Sequence, residues 1–452
     1  MELGKYPFIE VRRDEREWWL RGKGGEPIFF FPFLSFAQVG ILRDGSNRRG
    51  TGRSMGRSMG RGMEYGDPDH DDSSIPWSSS LHDVQVVKDM IFSSYWSLLL
   101  FSLPIGFLAG HFHWGPVSVF FFNFLAIIPL ALLLGDVTED LALRFGDVAG
   151  GLLNATFGNV VEMIISIAAL RKGLYTVVSM SLLGSVFSNQ LLVTGTCFLL
   201  GGLKYKIQSF SIAANKAYCS LLMIATICLC TPSMYSITVD SPTEAEEVLL
   251  LSRLTAIVMI GIYAAYLYFS LISHFDLFDA TGAGGDNDDE EEEEETPQLS
   301  TPAALGLLGA ISIIIAISSE YLTGSITDVS KSSGLSEHFI GVILLPIIGN
   351  ACEHVTAVMV AMRNKMDLAM AVALGSSIQI SIFALPFAVI AGWVLGEDFT
   401  LIFEPVTCLM FTLSVILTNV LTPDGQSTWL MGILLLCCYI LFGFTYYVGN
   451  FT

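Results

Sequence analysis

Residues 150–167 read GGLLNATFGNVVEMIISI, and residues 340–358 read IGVILLPIIGNACEHVTAV. Both stretches are apolar, both are interrupted by Gly or Pro, and both hold one Gly-Asn-x-x-Glu motif. The motifs are Gly158-Asn159-Val160-Val161-Glu162 and Gly349-Asn350-Ala351-Cys352-Glu353. Downstream, Gly184-Ser185 and Gly375-Ser376 recur, 26 residues after Gly158 and 26 after Gly349. One motif pair at one interval in two halves marks an internal duplication.

Around these stretches lie further apolar runs. They fall near 91–112, 114–135, 148–170, 176–200, 210–231, 248–272, 302–322, 339–361, 368–393, 401–421 and 428–448. Each reaches the roughly 20 residues that cross a bilayer core. None alternates as a barrel strand does, so the spans are helices, which satisfy their own backbone in lipid. Glu162 falls on the third run and Glu353 on the eighth. Five spans apart is an odd number, so the two motif helices cross in opposite directions and the repeat is inverted. The expected fold is an all-α polytopic membrane protein with about eleven transmembrane helices, one N-terminal helix plus two inverted five-helix repeats. The expected divisions are a tail at 1–90, a first helix and first repeat at 91–275, an acidic segment at 276–300 and a second repeat at 301–452.

The composition agrees. Of 452 residues, 52% are hydrophobic and only 15% charged, with a formal net charge of -20. That excludes a nucleic-acid module, which needs a basic face, and a disordered solvating chain, which is far less apolar. Twelve of the 23 basic residues lie in the first 61 positions, and nine acids fill 286–295. The Gly/Arg/Ser-rich stretch 43–63 cannot bury a core and reads as disordered. Residues 27–42 are apolar but short and hold two prolines, which fits a packed or interfacial segment. The acidic run, with Asp288, Asp289, Glu290, Glu291, Glu292 and Glu293, reads as a solvated linker. It is also a candidate for attracting or sensing Ca²⁺. The positive-inside rule, decided by the basic tail, puts the N-terminus and the acidic loop in the cytosol. The eight cysteines sit inside apolar stretches without zinc spacing and read as buried packing. Cys352 is one of these, pointing about 100° away from Glu353 around its helix.

A carboxylate at the bilayer centre costs about 2.5–3.5 kcal/mol on insertion scales, and two facing carboxylates repel as well. A divalent cation relieves that cost, and so do protons. Competition between the two occupants is the physical core of proton antiport, and Gly/Pro-broken spans in inverted halves are the sequence mark of such a site. Asn159 and Asn350 each share a helix face with their Glu. Ser185, Ser188, Asn189, Ser376 and Gln379 lie on the spans that follow. Carboxylate, amide and hydroxyl oxygens suit a hard cation such as Ca²⁺, whereas the thiolate and multi-His sets of softer metals are missing. His354 shares a face with Asn350 and is a candidate for proton relay. Glu139 and Glu320 are candidates for lining vestibules or for capping helices. His111 and His113 read as an interfacial pair.

These stretches resemble the two α-repeats of the vacuolar-type Ca²⁺/H⁺ antiporters, the cation/proton exchangers of the Ca²⁺/cation antiporter superfamily. TEDLALRFGDVAGGLLNATFGN, the SEYL element, GNACEH and GSSIQI carry the resemblance, from about residue 90 to 450. It implies Ca²⁺ ligation by Glu162 and Glu353, with support from Asn159, Asn350, Ser185, Ser376 and Gln379. It implies proton coupling at the glutamates and movement of cytosolic Ca²⁺ into a vacuolar or other acidic compartment. No cofactor and no enzyme activity are implied; the partners are Ca²⁺, H⁺ and the bilayer. Cys352 and Val160-Val161 depart from the usual pattern. Rival readings are a Na⁺- or K⁺-coupled Ca²⁺ exchanger, a Mn²⁺-preferring antiporter, an intramembrane protease and a Ca²⁺-gated channel.

Overall fold

A computed structural model describes residues 10–14, 17–21, 27–30, 76–92, 95–239, 243–278 and 296–449. The chain divides into two units, Met1–Asp72 and Ser73–Thr452. In the first, β1 (Glu10–Asp14), β2 (Glu17–Arg21) and β3 (Pro27–Phe30) pair antiparallel in the order β1-β2-β3. Three paired strands thus lie within the stretch that the sequence reads as a loose tail. The 43–63 repeat, the remainder of 27–42 and the acidic run lie outside the described residues.

The second unit is helical. It begins with α1 (Pro76–Phe92) and α2 (Ser102–His111). The first repeat holds α3 (Pro116–Phe157), α4 (Val160–Leu170), α5 (Tyr175–Phe187), α6 (Thr194–Lys204), α7 (Ile212–Thr238) and α8 (Glu244–Tyr268). The second holds α9 (Thr301–Ser333), α10 (Glu337–Phe339), α11 (Leu345–Gly349), α12 (Ala351–Met362), α13 (Met366–Gln379), α14 (Leu385–Leu395), α15 (Pro405–Leu421) and α16 (Trp429–Val448). Two-residue strands β4 (Gln208–Ser209) and β5 (Gln426–Ser427) tie the halves together. Among the described residues, seven helices can cross a membrane, or nine if two bent pairs count as single spans; Val160–Leu170 and Pro405–Leu421 are shorter apolar helices. Together these elements fall on the eleven apolar runs.

The helices sort by how much of them the protein covers. The span Tyr175–Lys204 is 89% buried, against 28% for Glu244–Ser273, Thr301–Ser333 and Trp429–Val448. The span bearing Ser185 and Asn189 is therefore the axis, and the outer helices expose Leu and Ile side chains. Helix α3 is not straight. An added Cβ at Gly150 would stand 2.4 Å from the carbonyl oxygen of Ala142. Eight residues of straight helix would separate these positions by about 12 Å, so the chain folds back and re-enters the bundle toward Gly158. Only a residue without a side chain permits that contact.

The repeat is not equal at its second glycine. An added Cβ at Gly184 would meet the carbonyl oxygen of Val342 at 2.4 Å, while at Gly375 nothing lies within 4 Å. Gly184→Ala is expected to lose about 1–3 kcal/mol through overpacking, and Gly375→Ala to leave stability unchanged. Thermal denaturation of the two variants in detergent checks this; equal losses would contradict it.

Each end of the bundle is pinned by polar contacts. At one end, Asp83 of α1 accepts hydrogen bonds from the Ser300 amide (2.9 Å) and hydroxyl (2.6 Å). Asp140 of α3 accepts from the amides of Gln298 (2.6 Å) and Leu299 (3.1 Å), and Arg144 donates to the Leu299 carbonyl. These contacts join α1 and α3 to the linker that starts α9. At the other end, His338 Nε2 and Glu404 Oε1 lie 2.6 Å apart, and Thr407 donates to Glu404 Oε2 at 3.3 Å. Burial pushes the Glu404 carboxyl up, but bonds from His338 and the backbone outweigh it and hold it below the usual glutamate range. A carboxyl lowered on folding stabilises the protein above its unfolded pKa, and that contribution fades as pH falls through the folded value. Glu404→Gln should therefore melt lower than wild type at neutral pH, with the gap closing below about pH 4. A gap that persisted in acid would contradict the assignment.

Candidate ion-binding site

The site forms where two helices stop and restart. Helix α3 ends at Phe157 and α4 begins at Val160; α11 ends at Gly349 and α12 begins at Ala351. The hinge residues are Asn159 (φ -106°, ψ 18°) and Asn350 (φ -91°, ψ 17°), so the two halves break the helix in the same backbone conformation. The second break bends the chain by 59°. Each glutamate then occupies the third position of the restarted helix. There the free N–H groups and the positive end of the helix dipole face a carboxylate, worth about 0.3–1 kcal/mol at exposed sites and more when partly buried.

Neither asparagine caps its own helix with its side chain. Both reach across to the other repeat instead. Asn159 Nδ2 donates to Gln379 Oε1 at 2.6 Å, and Ser376 Oγ donates to Asn159 Oδ1 at 3.1 Å. Asn350 Nδ2 donates to the Ser185 carbonyl at 3.0 Å. Asn189 Nδ2 donates to Ser376 Oγ at 3.0 Å. The inverted halves are thereby stitched together at the two hinges. Directly after these serines the spans loosen into π-helical turns, Ser188–Val193 and Ile380–Ala384, a distortion common at functional sites.

Glu162 is 5% exposed and Glu353 9% exposed. Both carboxylate oxygens of Glu162, Oε2 of Glu353, Oδ1 of Asn189 and Oδ1 of Asn350 are buried without a hydrogen-bond partner. Buried polar atoms are nearly always paired, and these orphans are all acceptors. Unpaired buried carboxylate and amide oxygens are what a cation or protons would satisfy. Among the described residues no group of three or more His, Cys, Asp or Glu could hold a metal ion. A cation here would draw its remaining oxygens from amides, hydroxyls and carbonyls, as Ca²⁺ does.

A cavity of about 360 Å³ reaches this site. Asn159, Gly349, Glu353, Ser376 and Gln379 line it, and so do Asp136, Glu139 and Thr356. Glu162 is not on its wall; it lies behind Gly349, where an added Cβ would stand 2.6 Å from Glu162 Oε1. The two glutamates are therefore unequal in this conformation, one facing the cavity and one closed off. Asp136 and Glu139 lie four residues and one residue before Asp140, which bonds the amides of Gln298 and Leu299, so this part of the wall is near the end of the bundle where α3 meets the 296–300 linker.

The other sequence candidates separate. Glu139 does line the cavity. Glu320 does not; it pairs with Lys172 at 3.1 Å with half its side chain exposed. His354 is half-buried and not on the cavity wall. Among the polar lining residues, Asp136, Thr138, Asn154 and Thr356 escape the sequence reading. Asp136 falls one residue past the expected end of the second run, but the helix continues through it, three residues before Glu139 on the same face. Cys352 corrects an expectation. It lines the cavity beside Glu353 rather than packing away from it.

Comparison with known proteins gives the same assignment. The sequence pattern of the sodium/calcium exchanger protein family matches residues 115–272 and 303–448, the two repeats. A vacuolar calcium ion transporter of Schizosaccharomyces pombe is 38% identical over 383 residues, 84% of this chain and 91% of that one. A Ca²⁺/H⁺ antiporter of Aphanothece halophytica is 42% identical over 359 residues, 78% of this chain and 96% of that one. The solved structure of native YfkE superposes with a TM-score of 0.67 at 34% identity, covering 78% of this chain and all of that one. With duplicated hinges, paired buried glutamates and a family match across both repeats, this chain belongs to the sodium/calcium exchanger protein family.

Proposed function

We propose that this protein is a Ca²⁺/H⁺ antiporter, moving cytosolic Ca²⁺ into an acidic, vacuole-like compartment in exchange for protons. One observation carries the reading: two buried carboxylates, one from each inverted half, stand among orphaned acceptor oxygens at the end of a cavity. Both relatives named above are calcium transporters or Ca²⁺/H⁺ antiporters, which supports it.

The chain's own groups supply the mechanism. Glu162 and Glu353 are neutralised either by protons or by Ca²⁺, so loading one occupant displaces the other. Asn159, Asn350, Ser185, Ser376 and Gln379 lend oxygens and hold the two hinges in register. The cavity on the Glu353 side is the cytosolic approach, with α1 and the 296–300 linker on the same side. Asp136 and Glu139 line that approach and raise the local cation concentration. Rocking one repeat against the other would close this mouth and expose Glu162 to the far side. His354, whose backbone N–H donates to the Asn350 carbonyl beside the hinge, is a further group for proton coupling.

Uptake of radiolabelled Ca²⁺ into liposomes holding the purified protein tests the reading. Acid-inside vesicles should accumulate Ca²⁺ without Na⁺ or K⁺, and a protonophore should stop it. Uptake that required a Na⁺ gradient and ignored the protonophore would contradict proton coupling.

A further inference from the structure

We propose that Cys230 and Cys408 form a redox modification site, a thiol pair that a peroxide converts to a disulfide joining the two repeats. The pair is separate from the hinges and the glutamates, and it does not rest on the transport reading.

Two packed helices bring the pair together. Cys230 lies in α7 of the first repeat and Cys408 near the start of α15 of the second, and these helices pack against each other. Cys230 Sγ stands 3.9 Å from the Cys408 carbonyl oxygen, and the two thiols are within hydrogen-bonding reach of one another. The chains are held in this approach one turn along α7. There Ser233 donates to the Leu401 carbonyl at 3.2 Å and accepts from the Phe403 amide at 2.9 Å. A disulfide requires two chains held side by side in this way, so rotation of the side chains is the movement left to make. Both cysteines are free; Cys408 is buried and Cys230 partly exposed.

The positions assign the roles. Cys408 lies four residues after Glu404, the residue that precedes α15, and the N-terminal turns of a helix favour a thiolate. Glu404, the charged group that acts on Cys408, is engaged by His338. Cys230 gives a small oxidant access from the surface of the bundle. The Cys408 sulfur attacks the peroxide: an S–O bond forms, the O–O bond breaks, and the thiol proton leaves in water. The Cys230 sulfur then attacks the sulfenic sulfur: the S–S bond forms, the S–O bond breaks, and a second water carries off the Cys230 proton. Two thiols are oxidised and one peroxide is reduced by two electrons. The product links α7 to α15, and so the first repeat to the second.

The test treats the detergent-purified full-length protein with hydrogen peroxide. It follows the product by peptide mass mapping and by thermal denaturation. A peptide pair linked through Cys230 and Cys408 should appear. The melting temperature should rise by several degrees, because the link closes a long loop in the unfolded chain. Dithiothreitol should reverse both changes. Cys230→Ser and Cys408→Ser should show neither the linked peptide nor the rise. Cys230 is partly exposed, so Cys230→Ser decides the result if Cys408→Ser folds poorly. Recovery of the two cysteines only as unlinked thiols or sulfonic acids, a link through other cysteines instead, or a melting rise that persists in Cys230→Ser overturns the proposal.

Discussion

Glu162→Gln and Glu353→Gln should each reduce proton-driven Ca²⁺ uptake to the level of empty liposomes while leaving the protein folded. Glutamine keeps the size and the acceptor oxygen of glutamate but cannot be neutralised by a cation or gain a proton. Neither carboxylate forms an ion pair whose loss would leave a buried charge behind, so the melting temperature should hold or rise. The rise is expected because an uncompensated buried carboxylate is costly. Their positions predict a difference in Ca²⁺ binding. Glu353 faces the cavity and Glu162 lies behind Gly349, so in this conformation Glu353→Gln should weaken binding from the open side more. Uptake at the wild-type rate in either variant would rule out a two-carboxylate site.

The second large effect is expected from a single methyl group. Gly349→Ala would put a Cβ 2.6 Å from Glu162 Oε1 and 2.9 Å from its Cδ. Real Cβ atoms do not sit that close, and the backbone of α11 is held by Asn350 on the Ser185 carbonyl. The carboxylate has to move instead. A displacement of about 1 Å at a reacting group can cost roughly a hundredfold in rate, so the initial rate of Ca²⁺ uptake should fall by about that factor. The double variant Gly349→Ala/Glu162→Asp, one methylene shorter, should recover part of the rate. A single variant as fast as wild type would show that the Glu162 position is not limiting.

The duplication, the inversion and the two glutamates are legible in the amino-acid order, because the motif is local and its period is covalent. Parity alone places Glu162 and Glu353 on oppositely directed helices. The restart of each helix at an asparagine is half legible: the Gly-Asn pairs mark a break, but the similar φ and ψ at Asn159 and Asn350 appear only in three dimensions. What stays hidden is set by tertiary approach. Asp136 looks like a loop residue until α3 is seen to run on through it. Cys352 looks like packing from its angle to Glu353, yet the cavity is wide enough to take in both. Gly184 and Gly375 look equivalent, and only the first is pressed against Val342. Glu139 and Glu320 sit in similar sequence settings, but one lines the cavity and the other is drawn to Lys172. Such distinctions depend on which helix arrives from the opposite repeat, and nothing in the local sequence carries that.

The central claim is that protons and Ca²⁺ exchange places on these two glutamates. Simultaneous recording of internal Ca²⁺ and internal pH in liposomes holding the purified protein tests it most directly. A pulse of external Ca²⁺ onto acid-inside vesicles should raise internal Ca²⁺ and make the interior more alkaline in step. Both signals should vanish in the Glu162→Gln/Glu353→Gln double variant. Ca²⁺ entry with no accompanying pH change, or matched signals that persist in the double variant, would contradict it.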